Sequence, residues 1–551
     1  MSLRRMAALC CTFAVLAAVA LCRVYWIGTD TLYAASAGGQ SASVTALPQQ
    51  RGNFYDNTGQ PLTGTVPRWY ALCIPGDASY ARLFPYVPFA AQAELYEYRN
   101  SVTPFLIEVE QDLTPQGIYT YRGAERTLPV PIATHLLGYL NGDGVGVSGL
   151  ELAYEEVLAR SGDRLAVACT TTAQGSLMTG TEPALQTDAA GTAQGVQLTL
   201  NADIQRACEA IADLYLPRGC ILVMDTATGE LLASVSRPDF DPDDLLRSME
   251  ADDTSLINRP LAAFSAGSVF KVVLAVAAYE AGLDWFTHDC EGWVKVGDQV
   301  FRCAEGRVHG RVNLRSALEQ SCNCYFIELG QHLGGAQILA AARRLGFGSP
   351  TALAPGMKSE EGTLPDLATL GGAQNGQLAM LSFGQGALTV TPLQITAMMN
   401  AVADGGILRA PRVVRGIVDS ETGQCVEPFV TAEDSTACSP DIARVLRSML
   451  IDVVEEGIGQ EAKPASGGGA GGKTGTAQTG QFDAAGVERL NYWFSGFWPA
   501  EDPAYTITVL QDATLEPETS SAAIFARVAD ALCAFDGNFT RETTMATPET
   551  S

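Results

Sequence analysis

The spacing of hydrophobic positions changes several times along this chain, and each change predicts a different kind of element. An almost unbroken apolar span, Met6–Cys22, comes first and continues to Ile27. This is about the 20 residues that a bilayer-spanning helix needs. Arg4 and Arg5 precede it, which favours an uncleaved anchor at 1–28 with a cytoplasmic N-terminus. A cleaved signal peptide is the alternative, since Ala-rich stretches follow the basic residues.

After the anchor, apolar positions are first scarce and then broken into short runs. Residues 29–50 are rich in Ala, Ser, Gly and Thr, which is typical of a linker. Residues 51–190 alternate short apolar runs with Pro and Gly, and this predicts an irregular α+β domain. It opens with a strand, a turn at Asn57-Thr-Gly59 and a second strand. The polar composition of 538–551 predicts a disordered tail.

Segment 196–537 has the pattern of a sheet flanked by helices. An amphipathic helix is predicted at Ile204–Leu214, and an almost wholly apolar helix begins at Ser268. Strand-like runs occur near both ends of the segment: Cys220–Asp225, Leu231–Ser236, a stretch around Thr474, Tyr492–Phe497 and Tyr505–Leu510. We therefore predict an α+β domain with one sheet that both ends of the segment complete.

Size and charge restrict the function classes. A chain of 551 residues with 47% hydrophobic content can bury more than one core. Its net charge of -26 argues against a nucleic-acid partner, because phosphate binding depends on clustered Lys and Arg. The four histidines do not lie in a motif that would suggest a Ser-His-Asp triad.

The candidate chemistry lies in three short motifs. Ser268-Val-Phe-Lys271 places a hydroxyl and an amine on one helix face, because positions i and i+3 are neighbours there. An amine in such a dry place has a lowered pKa and can act as a base toward serine. Ser321-Cys-Asn323 and Lys473-Thr-Gly475 follow along the chain. Two of only five lysines therefore lie in these motifs.

Each motif residue also has a purely structural interpretation. Ser268 fits a helix N-cap, Asn323 a turn residue and Lys473 a solvated lysine on a strand edge. Trp493 and Phe494 are expected to be core aromatics. The order and context of the three motifs favour the catalytic interpretation.

The cysteines leave three alternatives open. Among fourteen cysteines, Cys303 and Cys322 are the candidates for a redox disulfide, and Cys322 lies between Ser321 and Asn323. Buried or reduced thiols are the favoured interpretation, and Cys425 with Cys438 is a weaker candidate pair. Zinc is the third alternative, for which Cys-x12-Cys followed by Cys-x-Cys is poor ligand spacing. We therefore expect neither a metal nor a cofactor, and a structural role for His309.

Together these motifs make the chain resemble the class B, monofunctional penicillin-binding proteins, the membrane-anchored transpeptidases of bacterial cell-wall synthesis. Ser321-Cys-Asn323 and the preceding cysteines are similar to the Gram-positive elongation and sporulation branch. Ala266 and Val269 stand where the family usually has proline and threonine. Further segments carry the resemblance: Arg51–Asp56, His135–Tyr139, Gly149–Tyr154, Phe240–Pro242, Gly384–Gly386, Val390–Pro392 and Trp493–Gly496.

The resemblance implies a fold and a reaction. A pedestal or dimerisation domain at 51–190 would precede a serine β-lactamase-like transpeptidase domain at 196–537. Lys271 would take the proton of Ser268, which attacks the bond between two D-alanines of a peptidoglycan stem peptide. An acyl-enzyme would form, and the amine of a second stem peptide would resolve it into a cross-link. Ser321 would relay a proton to the leaving amine, and Asn323 would hold the substrate amide.

The resemblance also implies where the substrate binds. Lys473, Thr474 and Thr476 would bind its terminal carboxylate, and Gly475 would leave room for it against the strand. Backbone N–H groups of Ser268 and Thr476 would form an oxyanion hole. β-Lactams would acylate the same serine.

Partners and competing functions follow from the same resemblance. A multi-spanning peptidoglycan glycosyltransferase is the implied membrane partner, and a homodimer is compatible with it. The alternatives are a serine D,D-carboxypeptidase, a β-lactam-acylated receptor, or a non-catalytic cell-wall scaffold.

Overall fold

The computed structural model describes most of the chain, and its residues form two compact units. The described residues are 3–29, 42–48, 50–127, 131–142, 144–162, 164–172, 177–178, 180–188, 192–242, 244–250, 254–372 and 374–535. Most of the predicted linker and the whole predicted tail, 538–551, lie outside them. The first unit comprises 1–51, 65–127 and 159–192, and the second comprises 52–64, 128–158 and 193–551.

The first unit contains the N-terminal apolar helix, Leu3–Thr29. Among the described residues, this is the one helix long and apolar enough to cross a membrane, and its most apolar window is Leu9–Trp26. Two three-stranded sheets follow, formed by Ala42–Ala46, Arg164–Thr170 and Ala184–Asp188 and by Phe105–Val109, Gly64–Cys73 and Thr120–Thr127. The short helices Asp77–Leu83 and Gln92–Glu97 contribute to the core against the second sheet.

A five-stranded antiparallel sheet forms the centre of the second unit in the described part of the chain. In spatial order its strands are Leu231–Arg237, Gly219–Asp225, Tyr505–Thr514, Glu488–Trp498 and Gly471–Phe482. Both sequence ends of the domain therefore complete one sheet, which confirms the prediction. The Gly471–Phe482 strand, called the Lys473 strand below, forms one edge of this sheet.

Helices cover both faces of the central sheet. Trp493 packs into the larger core on one face, and Phe494, the next residue, packs into the core on the other. Both are buried core aromatics, as predicted. The helices of this unit are Thr134–Leu137, Gly149–Ala153, Glu155–Leu158, Ala202–Tyr215, Leu245–Glu250, Lys271–Glu280, Leu314–Glu319, Asn323–Arg344, Gly376–Ser382, Pro392–Ala403, Pro440–Glu455 and Ser521–Cys533.

Smaller sheets complete the second unit. Phe54–Tyr55 pairs in parallel with Gln194–Leu198, which continues to Val414–Asp419 and Cys425–Pro428. Two-stranded sheets are formed by Phe264–Ser265 with Thr389–Val390, Thr287–Cys290 with Gly310–Asn313, Trp293–Val296 with Gln299–Arg302, Ala352–Ala354 with Met357–Lys358, and Ile407–Leu408 with Ser435–Thr436.

The two units do not follow chain order, because residues 52–64 and 128–158 belong to the second one. His135 shows why: its ring packs edge-on against Phe240, with centroids 4.9 Å apart, and its Nδ1 lies 3.6 Å from Asp239 Oδ1. The family segments at His135–Tyr139 and Gly149–Tyr154 are thus built into the second unit, whereas the resemblance placed them in the pedestal. The boundaries 51–190 and 196–537 remain a proposal for the functional domains.

Candidate active site

Ser268 lies where one type of helix continues into another. Gly267–Phe270 forms a 3-10 turn, and the α-helix Lys271–Glu280 begins directly after it. Side chains three residues apart share a face in this geometry, so Ser268 and Lys271 point to the same side. Ser268 is not an N-cap of either helix, because Ala266 and Phe270 occupy those positions. It is half-buried, and the other three residues of the turn are buried.

The turn is held tightly against the Lys473 strand. Gly267 has φ +61°, and a Cβ added there would lie 2.5 Å from the carbonyl oxygen of Thr476. Its backbone N–H donates to the carbonyl of Gly384 at 2.8 Å. Only glycine combines this backbone angle with this close approach.

We expect Gly267→Ala to reduce acylation of Ser268 by penicillin at least tenfold. The new methyl group would push the turn away from Thr476 and would misplace the nucleophile. Gly282→Ala is the matched control: Gly282 has φ +66°, but nothing lies within 4 Å of the added Cβ. Alanine in this backbone conformation costs about 1–2 kcal/mol in either variant, and thermal melts would measure the resulting loss of stability. Equal acylation by both variants would contradict this account.

Lys271 is completely buried and is held by the second motif. Its Nζ donates to the Ser321 carbonyl at 2.8 Å, to Asn323 Oδ1 at 2.7 Å and to Ser321 Oγ at 3.1 Å. Ser321 has φ 54°, a conformation that non-glycine residues rarely adopt and that occurs at functional sites. Burial lowers the pKa of Lys271 to about 8. The amine is thus close to the range in which a general base operates.

Lys473 reaches the same hydroxyl from the edge strand. Its Nζ lies 3.1 Å from Ser321 Oγ, 3.1 Å from the Thr474 carbonyl and 3.2 Å from Thr474 Oγ1. It is completely buried, which excludes a solvated strand-edge lysine. Burial first, and the charge of Lys271 second, lower the pKa of Lys473 well below its usual value. The hydroxyl of Ser321 therefore lies between two amines whose charged forms are disfavoured.

We expect the acylation rate of the protein by penicillin to rise with pH and to level off above about pH 8. Below the pKa of Lys271, which burial lowers to about 8, the amine is protonated and cannot accept the proton of Ser268. Stopped-flow or quenched-gel rates between pH 6 and pH 9.5 would measure the profile. A rate independent of pH would contradict the role of Lys271 as base.

The outer edge of the Lys473 strand is bridged by a side chain that the sequence motifs did not assign. Gln385 Nε2 donates to the Thr476 carbonyl at 3.2 Å, and its Oε1 accepts the N–H of Gln478 at 3.4 Å. A side-chain amide thus satisfies both kinds of backbone group on this edge. The segment Gly384-Gln-Gly386 belongs to the family resemblance, but sequence alone did not show which groups the side-chain amide of Gln385 contacts.

Gly475 is required for packing. A Cβ added to it would lie 3.0 Å from Val269 Cγ1 and 3.2 Å from Trp493 Cβ. The missing side chain therefore faces the interior beside the Ser268 turn. This close packing is a second reason for glycine here, and room for the substrate stays a prediction.

The structure brings most predicted site residues together. Direct hydrogen bonds connect Lys271, Ser321, Asn323, Lys473 and Thr474. Asn323 Nδ2 donates to the Arg302 carbonyl at 3.1 Å, while its Oδ1 accepts from Lys271, so Asn323 is more than a turn residue. Ser268 lies on the same helix face as Lys271. Thr476 lies next to the Ser268 turn, because its carbonyl oxygen approaches Gly267 closely.

The cysteines around the second motif are thiols in this structure. Cys303 Sγ lies 3.8 Å from Cys322 Sγ and 3.4 Å from Cys324 Sγ. Hydrogen bonding with the thiols of Cys322 and Cys324 lowers the pKa of Cys303. A disulfide between Cys303 and Cys322 stays a prediction. Cys425 is exposed and Cys438 is buried, both as thiols.

A sheet covered by helices on both faces, with Ser321 between two buried lysine amines, is typical of the penicillin-recognising serine proteins. Residues 219–530 match the family model "Penicillin binding protein transpeptidase domain". The chain belongs to this family.

Known relatives cover most of the chain. Stage V sporulation protein D of Bacillus subtilis is 31% identical over 413 residues, which are 72% of this chain and 61% of the relative. Penicillin-binding protein PbpB of Mycolicibacterium smegmatis is 30% identical over 456 residues, 78% of this chain and 66% of the relative. The chain thus spans slightly less than two thirds of these relatives.

Solved structures show the same fold. Penicillin-binding protein 3 of Mycobacterium tuberculosis in complex with aztreonam has a TM-score of 0.64 at 25% identity, covering 90% of this chain and 97% of that one. The complex of penicillin-binding protein 2 with MreC from Helicobacter pylori has a TM-score of 0.69 at 22% identity, covering 90% and 99%. These similarities confirm the predicted α+β transpeptidase fold.

Proposed function

We propose that the chain is a peptidoglycan D,D-transpeptidase that cross-links stem peptides through an acyl-enzyme on Ser268. The observation that carries the proposal is the position of Ser321 Oγ, at 3.1 Å from both buried lysine amines. In this proposal, a neutral Lys271, three residues after Ser268, takes the proton of the serine. Relatives named peptidoglycan D,D-transpeptidases, from Mycolicibacterium smegmatis and Acinetobacter baumannii, support the same reaction class.

In the first half-reaction, the oxygen of Ser268 attacks the carbonyl between the two D-alanines, and its proton passes to Lys271. Negative charge develops on the carbonyl oxygen, and the backbone N–H groups of Ser268 and Thr476 stabilise it. Such a donor contributes about 3 kcal/mol in other acyl-transfer enzymes. Ser321, which contacts both amines, passes a proton to the leaving D-alanine amine, and the C–N bond breaks.

The substrate binds along the Lys473 strand. Its terminal carboxylate is attracted by Lys473, which becomes charged as the anion arrives, and accepts hydrogen bonds from Thr474 and Thr476. An extended peptide that adds to a sheet edge gains backbone hydrogen bonds as well. Asn323 holds the substrate amide. The second stem peptide then supplies the amine that releases Ser268.

β-Lactams are proposed to acylate Ser268 because they present a strained amide beside an anionic group, a carboxylate in penicillins and a sulfonate in aztreonam. The solved structures of the tuberculosis protein include complexes with aztreonam and with ampicillin.

For localisation, we propose a single-pass protein whose Leu3–Thr29 helix is the membrane anchor. Arg4 and Arg5 keep the N-terminus in the cytoplasm by the positive-inside rule, so the catalytic unit lies outside the membrane. A multi-spanning glycosyltransferase that polymerises the glycan strands is the proposed membrane partner. A homodimer through the 51–190 domain is compatible with this arrangement.

A product analysis tests the proposal against its alternatives. The full chain in detergent is incubated with a stem-peptide donor that ends in D-Ala-D-Ala and with an acceptor amine, and the products are identified by mass spectrometry. We expect a cross-linked dimer with release of D-alanine. A shortened donor without dimer would indicate a D,D-carboxypeptidase. A folded chain that gives neither product nor a penicillin adduct would indicate the scaffold.

A further inference from the structure

Three cysteines and a histidine meet beside the second motif. The thiols of Cys290, Cys303 and Cys322 and the ring of His309 each offer one ligand atom, and these four atoms all lie within 4.8 Å of one another. Cys290 ends the Thr287–Cys290 strand, and His309 directly precedes the partner strand. Cys303 follows a neighbouring hairpin strand, and Cys322 is the N-cap of the Asn323–Arg344 helix. Four separate points of the chain therefore converge.

Three of the six separations between the ligand atoms match the edges of a tetrahedral metal site, and the other three are at most 4.8 Å. Cys290 Sγ lies 3.7 Å from Cys303 Sγ and 3.4 Å from His309 Nδ1, and Cys303 Sγ lies 3.8 Å from Cys322 Sγ. Zinc bonds of about 2.3 Å to sulfur and about 2.0 Å to nitrogen give tetrahedral edges of about 3.8 Å between sulfurs and about 3.5 Å between sulfur and nitrogen. A disulfide would instead need about 2.05 Å between two sulfurs.

Two backbone N–H groups point at sulfur atoms of the cluster, as is usual around cysteine thiolates. The N–H of Gly292 points to Cys290 Sγ at 3.4 Å, and the N–H of Tyr325 points to Cys322 Sγ at 3.5 Å. Cys324 Sγ lies outside the group of four, and the Cys303 thiol points to it at 3.4 Å. Hydrogen bonds of this kind orient metal ligands and stabilise their charge.

Burial and ligand type narrow the choice of metal. The three ligand cysteines are at most 3% exposed, and several thiolates at such a depth need a cation to compensate their charge. A set of three sulfurs and one imidazole is typical of a closed structural zinc site and excludes Mg²⁺ and Ca²⁺.

We propose that Cys290, Cys303, His309 and Cys322 bind one Zn²⁺ in a closed tetrahedral site that fixes the Ser321–Asn323 motif. Binding releases the three thiol protons and leaves no open position, so the metal takes no part in acyl transfer. The metal acts by fixing positions: it connects Cys322, and with it Ser321 and Asn323, to the strands next to Cys290, Cys303 and His309. This reverses the expectation from sequence, because folding overcomes the poor ligand spacing along the chain.

The test measures metal without substrate, so it is independent of the proposed transpeptidase activity. The untagged full chain is purified in detergent under reducing conditions without chelator, and its metal content is determined by mass spectrometry of the elements. We expect one zinc per chain. Replacement by Co²⁺ should give sulfur-to-cobalt charge-transfer bands and the intense visible bands of a tetrahedral site.

Variants separate ligands from bystanders. Cys290→Ser and the conservative His309→Gln should each lower bound zinc at least tenfold in a competition with a chromogenic chelator. Cys438→Ser, a buried thiol outside the group, and Cys324→Ser, a neighbour that is not a ligand, should keep one zinc per chain. Thermal melts confirm which variants are folded.

Three results would overturn the proposal. The first is a folded full chain that takes up less than a tenth of an equivalent of zinc or cobalt in direct titration. The second is unchanged zinc content in both Cys290→Ser and His309→Gln. The third is a disulfide between Cys303 and Cys322 in protein purified under reducing conditions. It would appear as a pair of linked peptides that has lost two hydrogens in mass. A disulfide and this metal site exclude each other.

Discussion

Ser268→Ala will abolish covalent labelling of the protein by fluorescent penicillin. The variant keeps the 3-10 turn but has no oxygen to form the ester, so the rate should fall at least about 10⁴-fold, below detection on a gel. The intact protein should gain the mass of one penicilloyl group. Persistence of that adduct over hours would separate a penicillin-binding protein from a β-lactamase, which hydrolyses it.

Ser265→Ala is the control for this change. Ser265 is also half-buried and lies three residues before Ser268. Its backbone carbonyl accepts a hydrogen bond from the indole N–H of Trp493. That contact survives removal of the hydroxyl, so labelling should stay at the level of the unchanged protein. Labelled Ser268→Ala protein would show that another group is acylated.

Lys271→Arg will reduce the acylation rate about 10³-fold, within the range that a general base contributes. An arginine stays charged at every pH of interest and is bulkier, so it can neither accept the proton of Ser268 nor fit the contacts to Ser321 and Asn323. The measurement is the second-order rate constant for penicillin labelling, together with a thermal melt that establishes folding.

Lys295→Arg is the matched control, because Lys295 is exposed on the short strand Trp293–Val296. It should label at the rate of the unchanged protein. A folded Lys271→Arg variant that labels normally would remove Lys271 as the base and would leave Lys473 as the remaining candidate.

Local patterns were enough to predict the elements that carry the site. The strands near residues 220, 231, 492 and 505 were visible because each contains a short stretch of mostly apolar residues, and most of these are buried. The three motifs were visible because their spacing is short and their residue types are restricted. Their assembly around Ser321 then followed from the fold.

Other features depend on contacts that a linear pattern does not contain. The bridge that Gln385 makes to the Lys473 strand joins segments far apart in sequence. The same holds for the four-atom cluster at Cys290, where spacing along the chain argued against a metal. The association of residues 128–158 with the second unit was likewise hidden, because nothing in their composition separates them from their neighbours.

The strand order of the central sheet bears on when, during synthesis, the proposed nucleophile Ser268 meets the rest of its site. Gly219–Asp225 pairs with Tyr505–Thr514, although the whole helical part of the domain lies between them in sequence. Pairing of such high contact order is slow, because a long loop must close first. A chain that emerges from the ribosome N-terminus first exposes Ser268 well before Lys473 has been made. The unfinished polypeptide thus carries the serine without the second buried amine, and the proposed site is complete only when the Lys473 strand has joined the sheet.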